Sequence, residues 1–491
     1  NVRLGPLPAP TSNDSSQGIV TDNTGSVELS PPKVTAFAPP LGSAFEGIPD
    51  TGELPANPNI AVGPNHILQT VSGAMQVTDR FGVLTDVSAS LASVFGVPAG
   101  ATGLTDPVCH YDHFNDKFIV LMTAKNAAGT DGWYVLAVTK GRVPFAVAST
   151  WTVYNIRNDI DLPGTDTAFA GDFAKIGFDN TYFYITSNQH DSSGVFQYAK
   201  VRMYRKNDIY SNRPAPAVEF NDVRDVAGNR VFTIQPAITF GTPGREYLLS
   251  CPPGAGNAVT VFFINTLVNT RTLEKRSVAV NAWLPPQPAF QKFPGPQVNS
   301  GDARLSNVVV RNNRIFTAHT VRRGTFPCAA HYIGVNGANF GKALDTTIGA
   351  PNFYYYYPAI SVSQNGGLGT VLNFSSMTRF PGIMYTQIDS RGGILPLAVL
   401  REGQGNYFIT VGGRAPWGEY SGICVDPSSP DRLWFNSMYA TSNPFSWGTF
   451  VGNTSMFGGR QSNTPTDAGV TLRDLILDWL KSTPVFGPLL P

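Results

Sequence analysis

The sequence carries little charge and no surplus of either sign. Charged residues make up 14% of the chain, with 35 Lys and Arg against 34 Asp and Glu, whereas soluble domains usually hold about 25%. Proteins that bind nucleic acid show a basic stripe or a strong excess of Lys and Arg. The composition therefore argues against a nucleic-acid partner.

Long apolar segments are also missing, since no run approaches the roughly 20 residues that a membrane span requires. The chain opens as Asn-Val-Arg-Leu-Gly-Pro, without a leader; a mature secreted chain begins in this way, and so does a cytosolic one. Low charge, uncharged polar loops and a Pro/Ser-rich leading segment favour a secreted or cell-surface protein. Asn-X-Ser/Thr triplets occur at Asn13, Asn373 and Asn453; such triplets also arise by chance in a chain rich in Asn, Ser and Thr, and they act as glycosylation acceptors only in a source that glycosylates.

Cysteine is scarce and widely spaced. The four cysteines are Cys109, Cys251, Cys328 and Cys424, and none forms a Cys-X-X-Cys pair, which argues against a zinc site. Gly (49) and Pro (39) are instead abundant among the 491 residues. Together with Asn, Ser and Thr they predict short strands joined by many tight turns.

An internal repeat determines the predicted fold. An apolar strand, an Asn/Asp/Gly/Pro turn and a second apolar or aromatic strand recur seven times, at residues 60–68, 109–120, 176–184, 237–249, 308–316, 359–372 and 423–435. The copies start about 49 to 71 residues apart, the size of a four-stranded blade with variable loops. We therefore predict an all-β chain that forms a seven-bladed β-propeller over residues 55–455.

Two segments flank the predicted propeller. Residues 1–54 are rich in Pro, Ser and Gly and predict an extended arm that wraps its own domain or lies on a neighbour. The arm near Val34 is expected to supply the outer strand that the seventh blade lacks. Residues 456–491 form a C-terminal extension with an amphipathic helix at about 467–481, which packs on the propeller or docks a partner.

Three strings resemble repeat motifs of secreted bacterial-type seven-bladed β-propeller proteins of mostly unassigned function. They are residues 60–66 (IAVGPNH), 106–112 (DPVCHYD) and 417–427 (WGEYSGICVDP). The resemblance covers roughly residues 55–455. It implies the blade architecture and no particular chemistry, and such relatives often carry Asp where Glu419 stands.

Candidate binding residues follow from one geometric rule. Loops that enter the innermost strand of each blade meet at the mouth of the central tunnel, and the residues at or just before these strands are Asn59, Asp106, Asp172, Gln235, Arg304, Tyr357 and Glu419. Asp106, Asp172 and Glu419 together offer hard oxygen ligands suited to Ca²⁺. Alternatively, these carboxylates bind backbone N–H groups of neighbouring blades or Arg304.

A catalytic alternative rests on His190, which we place in a loop at the same face. With Tyr357 and Arg304 it would neutralise a uronic carboxylate and abstract a proton, as a polysaccharide lyase requires, although this interpretation is a fold-level analogy. His110 and His113 are read as core or turn residues rather than as metal ligands.

The remaining patterns leave alternatives open. The run Tyr354 to Tyr357 either packs between blades or turns two rings toward the tunnel or solvent for sugar stacking. Cys251 and Cys328 fall near the ends of neighbouring blades and are a possible disulfide pair, whereas Cys109 and Cys424 are expected to be buried thiols.

Two functions are therefore compared. The favoured hypothesis is a non-catalytic extracellular binding or structural protein that assembles with itself or another surface protein through its arm, with no required cofactor. The alternative is a polysaccharide-active enzyme, lyase before hydrolase, with its site at the tunnel mouth; a hydrolase would need two carboxyl groups about 5 to 10 Å apart.

Overall fold

The structure, a computed structural model, describes residues 19–20, 38–268, 270–389 and 392–456. The predicted helix at 467–481 and the segment around Val34 lie outside these residues. Within them the chain is built from strands, with two short helices, α1 (Leu91–Phe95) and α2 (Lys206–Tyr210), and a single 3-10 turn at Ala148–Thr150.

The strands follow one another as four-stranded antiparallel units. Two strands precede the first unit: β1 (Ile19–Val20) and β2 (Leu41–Pro49). Blade 1 contains β3 (Asn59–Val62), β4 (Ile67–Val71), β5 (Ala74–Thr78) and β6 (Ala89–Ser90). Blade 2 contains β7 (Thr105–Asp112), β8 (Lys117–Lys125), β9 (Gly132–Thr139) and β10 (Trp151–Arg157), followed by a small hairpin of β11 (Ile160–Asp161) and β12 (Thr165–Asp166).

The remaining blades repeat the pattern. Blade 3 contains β13 (Ala170–Phe178), β14 (Tyr182–His190), β15 (Phe196–Arg205) and β16 (Val218–Phe220). Blade 4 contains β17 (Gln235–Thr239), β18 (Arg245–Ser250), β19 (Gly256–Asn265) and β20 (Leu273–Trp283). Blade 5 contains β21 (Leu305–Arg311), β22 (Arg314–Arg323), β23 (Phe326–Asn336) and β24 (Lys342–Ile348). Blade 6 contains β25 (Phe353–Val362), β26 (Leu368–Ser376), β27 (Arg379–Ile388) and β28 (Ala398–Arg401), and blade 7 contains β29 (Gly422–Asp426), β30 (Ser429–Ala440) and β31 (Trp447–Ser455).

The innermost strands form a ring. β3, β7, β13, β17, β21, β25 and β29 contact one another in that order, and β29 in turn contacts β3. Three parallel residue pairs tie β17 to β21 directly, for example Ile238 opposite Val309. The prediction of an all-β propeller is confirmed.

The fourth strand of blade 7 comes from the beginning of the chain. β2 pairs antiparallel with β31, with Phe45 opposite Val451, so the sheet order is β2-β31-β30-β29. The sequence placed this strand near Val34 and assigned residues 1–54 to an arm. The propeller therefore begins earlier in the chain than predicted, because β2 is one of its blade strands.

A second part of the arm lies on the propeller itself. β1 pairs antiparallel with β24, the outer strand of blade 5, with Ile19 opposite Ile348. An outer strand offers unpaired backbone groups on one side, and an added strand satisfies them. These two residues wrap their own domain, one of the two arrangements that the composition left open.

Each pair of neighbouring blades shares its own apolar core, because inner propeller strands are covered on both faces. Blades 1 and 2 share a cluster around Met75, Phe118 and Trp133, and blades 4 and 5 share one around Tyr247 and Ile333. The Val, Ile and aromatic residues that identified the repeat are the residues that fill these spaces.

The seam between blades 7 and 1 has a small core and a polar clasp. Its fully buried apolar members are Ile60, Val62, Ile67, Trp434 and Val451. Arg80 beside them forms a two-pronged ion pair with the buried Asp426 and also donates to the Gly63 carbonyl oxygen. Planar Arg–carboxylate pairs are among the strongest charge-assisted hydrogen bonds, so this clasp supports the point where the ring closes.

Blade 5 encloses a chain of polar side chains. His319 Nε2 lies 2.9 Å from His331 Nδ1, and His331 Nε2 lies 2.8 Å from Asp345 Oδ1. Both rings are fully buried. Burial acts to raise the pKa of Asp345, but the contacts with His331, Lys342 and the backbone N–H of Asn281 together lower it to about 2. The carboxylate is therefore the ionised end of the chain.

The structure answers three smaller questions. Asn373 and Asn453 are buried within strands, so these two triplets are not open for glycosylation and do not support secretion.

All four cysteines are free, Cys109, Cys251 and Cys328 being buried and Cys424 half-buried. The possible pairing of Cys251 with Cys328 is wrong. In the part of the chain that the structure describes, no helix is long and apolar enough to cross a bilayer.

Candidate functional site

An open cavity of about 330 Å³ occupies the central tunnel. Residues of all seven innermost strands and the loops before them line it, at both the mouth and the interior. This volume is near the lower end of the roughly 300–1,000 Å³ typical of small-molecule sites. The mouth is therefore not plugged by side chains, and it can receive a ligand of about one ring.

Five of the seven predicted residues line this cavity: Asn59, Gln235, Arg304, Tyr357 and Glu419. The partly exposed Asp106 is not among the lining residues, and the exposed Asp172 lines a second cavity between blades 2 and 3. Choosing the residue at or just before each inner strand therefore identified cavity-lining residues in five of seven cases.

The backbone conformation at the entrance to the inner strands orients the side chains there. Non-glycine residues with left-handed φ recur at the entrance to six inner strands: Asn57, Asp106, Phe173, Thr233, Tyr357 and Glu419, with φ between 47° and 59°. At Asp106, Phe173 and Tyr357 the strand pairing also shifts register. Such bulges turn a side chain out of the sheet, and strained φ values are most common at functional sites.

Asp106 holds neighbouring blades together. Its carboxylate accepts a hydrogen bond from Asn57 Nδ2 at 2.9 Å and another from the backbone N–H of Phe173. Its contacts thus join blades 1, 2 and 3 at the mouth. Burial and the nearby Asp172 raise the pKa of Asp106 to about 6. This is the blade-linking alternative that the sequence left open.

The predicted calcium cage is not assembled. Within residues 38–456, leaving out the gaps, no three His, Cys, Asp or Glu side chains are grouped as a metal site. The amino group of Lys175 is instead near enough to Asp106, Asp172 and Glu419 to interact electrostatically with all three. Calcium binding at this mouth stays a prediction that lacks a ligand set in the structure.

Glu419 is the carboxyl group that faces the cavity without a partner. No hydrogen bond or ion pair joins it to another described residue. Burial, followed by the negative charge of Asp106, raises the pKa of Glu419 to about 7. Near neutral pH this group can therefore donate or accept a hydrogen bond from a ligand.

The raised pKa of Glu419 predicts how the free energy of unfolding depends on pH. A carboxyl whose pKa is about 4.5 unfolded and about 7 folded stabilises the fold below pH 4.5, and that contribution is lost as the pH rises through 7. Glu419→Gln is therefore expected to raise the free energy of unfolding by about 3 kcal/mol at pH 8 and to change it little at pH 4. Denaturant titrations at both pH values measure the difference.

Glu402→Gln is the matched control, because Glu402 is exposed and pairs with Arg379 at the surface. Surface pairs contribute roughly 0–1 kcal/mol, so this variant should change stability little at either pH. An equal effect of Glu419→Gln at pH 4 and pH 8 would show that Glu419 is not a high-pKa group.

Arg304 is held rigidly at the mouth. Its guanidinium forms two hydrogen bonds with Asp302, each 2.8 Å long, and it lies over the rings of Phe173 at 4.5 Å and Phe232 at 4.8 Å. Two-pronged pairing and ring stacking fix both the position and the plane of the group. Asp302 already neutralises the charge of Arg304. The guanidinium therefore shapes the cavity wall and adds little net positive charge for a ligand.

Tyr357 is equally well fixed. Its backbone N–H donates to Thr320 Oγ1 at 2.9 Å, and its hydroxyl donates to the Asn299 carbonyl oxygen at 3.1 Å. Tyr354, Tyr355 and Tyr356 are also buried. Packing between blades therefore explains this run, with Tyr357 alone among the four reaching the cavity wall.

Sequence reasoning missed Lys175, which lines the cavity from the middle of β13. Only 7% of the residue is exposed, and its Nζ has no hydrogen-bond partner in the described chain. A lone lysine inside the otherwise apolar segment Ala174–Phe178 was the available signal. It passed unnoticed because a lysine in a strand usually points to solvent.

The residues of the lyase alternative are not brought together. His190 ends strand β14 instead of lying in a loop, and its ring packs on Phe196 at a centroid distance of 5.9 Å. It lines the second cavity with Asp172 and Lys125, whereas Arg304 and Tyr357 line the tunnel. The proposed base is therefore missing from the cavity where a uronic acid would sit.

His110 and His113 lie deeper in the tunnel wall. His110 is in strand β7 and His113 follows it in the turn, as predicted. His113 stacks on Phe240 at 4.5 Å and contacts Phe114 at 4.1 Å. Burial lowers the pKa of each histidine to about 4, so both are neutral packing residues near pH 7.

Comparison with known proteins places the chain by fold alone. No family model and no curated protein matches the sequence. Among solved structures, a protein of unknown function from Dyadobacter fermentans is 9% identical, with 85% of this chain and 99% of that chain covered and a TM-score of 0.43. Trypanosoma rangeli sialidase in complex with sialic acid is 9% identical, with 88% and 64% covered and a TM-score of 0.37.

An α-L-arabinofuranosidase from Lactobacillus brevis is 12% identical, with 70% of this chain and 93% of that chain covered and a TM-score of 0.34. The described chain spans 64% of the sialidase's length in the match above. At these identities and TM-scores the likeness concerns the β-propeller architecture and carries no argument about activity.

Proposed function

We propose that the tunnel mouth is a binding site for one neutral sugar ring, presented by an extracellular propeller that does not cleave its ligand. The observation that carries this proposal is the open cavity of about 330 Å³ with the unpartnered Glu419 carboxyl in its wall. A hydroxyl-rich ring would supply the hydrogen bonds that this group lacks.

The lining suits a sugar in two further ways. Tyr357, Tyr420 and Phe173 contribute aromatic surface, which packs against the apolar face of a sugar ring. The charges favour a neutral ligand over an acidic one. Asp106, Asp172 and Glu419 lie around the mouth, and the guanidinium of Arg304 is already paired with Asp302.

Isothermal titration calorimetry with a panel of neutral monosaccharides and their methyl glycosides tests the proposal. Glu419→Gln is expected to weaken the binding of the best ligand at least tenfold at pH 7, because it removes the cavity's ionisable acceptor. The surface variant Glu402→Gln should bind as the wild type does. Absence of saturable binding across the panel would overturn the proposal.

A glycan-cleaving enzyme is the second candidate, and one observation favours it. Glu419, with its pKa raised to about 7, is in the state from which a carboxylic acid protonates a leaving oxygen. The second carboxyl would be Asp106, which accepts hydrogen bonds from Asn57 and the Phe173 N–H and is not among the residues that line the cavity. Release of reducing ends from a glycan panel would favour this candidate over simple binding.

Assembly through the arm stays a prediction. The pairing of β1 with β24 accounts for two arm residues within one chain.

A further inference from the structure

Lys175 is buried between two aromatic rings and has no hydrogen-bond acceptor in the described chain. Its Nζ lies 3.3 Å from the ring centre of Tyr420 and 4.0 Å from that of Phe173. It has no hydrogen-bond acceptor among the residues that the structure describes. The two rings attract the ammonium form, whereas burial without acceptors for its three donors favours the neutral amine. Burial is the larger of these effects.

Lys200, another buried lysine of blade 3, shows the contrast. Lys200 Nζ donates to the Asn158 carbonyl oxygen at 2.7 Å and pairs with Asp161 at 2.6 Å. Lys200 is thus a structural cation with its charge compensated. Aromatic rings surround the Nζ of Lys175, whereas oxygen acceptors surround the Nζ of Lys200. Lys175 also lines the tunnel cavity. Desolvation lowers the pKa of Lys175 to about 7.

The surroundings argue against an anionic partner for this amine. Asp106, Asp172 and Glu419 already interact with Lys175 electrostatically, so a ligand carboxylate would meet their repulsion. A neutral amine in an apolar cavity is instead a nucleophile toward carbonyl carbon. Glu419 lines the same cavity and interacts electrostatically with Lys175, so it is the group that would move protons in this reaction.

We propose that Lys175 forms an imine with a small aldehyde that enters the tunnel cavity, of which the open-chain form of a reducing sugar is the expected class. The proposal rests on the sugar site described above and names a covalent step within it. The side chain turns out of its contacts with Phe173 and Tyr420 to reach the carbonyl, and these rings then screen the product from water.

The reaction balances without an oxidant or reductant. The Nζ lone pair attacks the carbonyl carbon and forms a C–N bond, while the carbonyl oxygen takes a proton from Glu419. The nitrogen then loses a proton to the Glu419 carboxylate. The hydroxyl group leaves as water when Glu419 returns a proton to it, the C–O bond breaks and a C=N bond forms. The last proton on nitrogen restores the Glu419 acid.

Trapping with glycolaldehyde and sodium cyanoborohydride at pH 7 tests the step on the intact protein. The reductant converts an imine into a stable secondary amine, and peptide mass spectrometry locates it. We expect the adduct on Lys175 at least ten times faster than on the buried, paired Lys200 or on the exposed Lys140. Lys175→Met should abolish this fast adduct, and the site assignment in the wild type stands even if that variant fails to fold.

The outcomes separate this step from the sugar site. A methyl glycoside has no free aldehyde, so its binding reports the site alone. Methyl glycoside binding with no preferential labelling of Lys175 overturns the imine proposal and leaves the sugar site intact. Labelling spread evenly over surface lysines overturns it as well. Absence of both glycoside binding and Lys175 labelling overturns both proposals.

Discussion

Deletion of residues 1–50 is expected to leave no stably folded ring, whereas deletion of residues 1–37 is expected to leave one. The longer deletion removes β2, whose Ile48 is 1% exposed and whose Glu46 contacts Arg401 and the Tyr439 hydroxyl. It also bares the edge of β31. We expect a loss of about 5 kcal/mol or more, comparable with the whole stability of a domain, and circular dichroism with thermal unfolding measures it.

Ile48→Ala within the intact chain is a finer version of the same experiment. Truncating a fully buried Ile usually costs about 2–5 kcal/mol, and the exposed Leu41 of the same strand provides the matched control, since Leu41→Ala should change stability little. A folded, cooperative ring after deletion of residues 1–50 would show that β2 is an accessory strand.

Asp345→Ala is expected to destabilise the protein by about 3 kcal/mol. The change leaves the buried His331 Nε2 without its carboxylate at the end of the His319–His331 chain. Burial lowers the pKa of His331, so the ring is neutral at pH 7, and leaving its buried N–H without an acceptor typically costs about 1–3 kcal/mol, towards the upper end when the lost acceptor was charged. Urea denaturation at pH 7 measures the change.

Lys342→Ala separates this buried contact from the surface one, because Lys342 pairs with the same carboxylate from a side chain that is 41% exposed. The surface half of the network should contribute less than about 1 kcal/mol. Equal losses in the two variants would mean that the buried histidine contact is not what Asp345 stabilises.

Much of the architecture could be predicted because blade strands and turns are local features. The segments around Ile176 and Val308 pair an apolar strand with an Asn or Asp turn, and β13 and β21 begin the corresponding blades. The closing strand could not be placed in the same way. β2 includes Gly42, Gly47 and Pro49 and therefore has a poor strand composition, and its partner is at the other end of the sequence, where only tertiary pairing identifies it.

The sequence predicted where most residues of the candidate site lie, but it predicted less well what each of them contacts. Arg304, Tyr357 and Glu419 line the cavity because the entrance to every inner strand faces one axis. The contacts that these side chains make depend on bulges and on residues with left-handed φ such as Phe173. The local sequence gives no signal for such conformations. Lys175 required knowledge that both faces of β13 are covered, so the sequence alone could not show that its amine is buried.

The origin of the closing strand also sets the order in which the ring is made. Ile48 and Thr449, which share a hydrogen bond across β2 and β31, are separated by 401 residues. A ribosome adds about 5–20 residues per second, so β31 follows β2 after roughly 20–80 s. Throughout that time β2 lacks its strand partner, and a chain whose translation stops between residues 402 and 446 has blades 1 to 6 complete and an open ring.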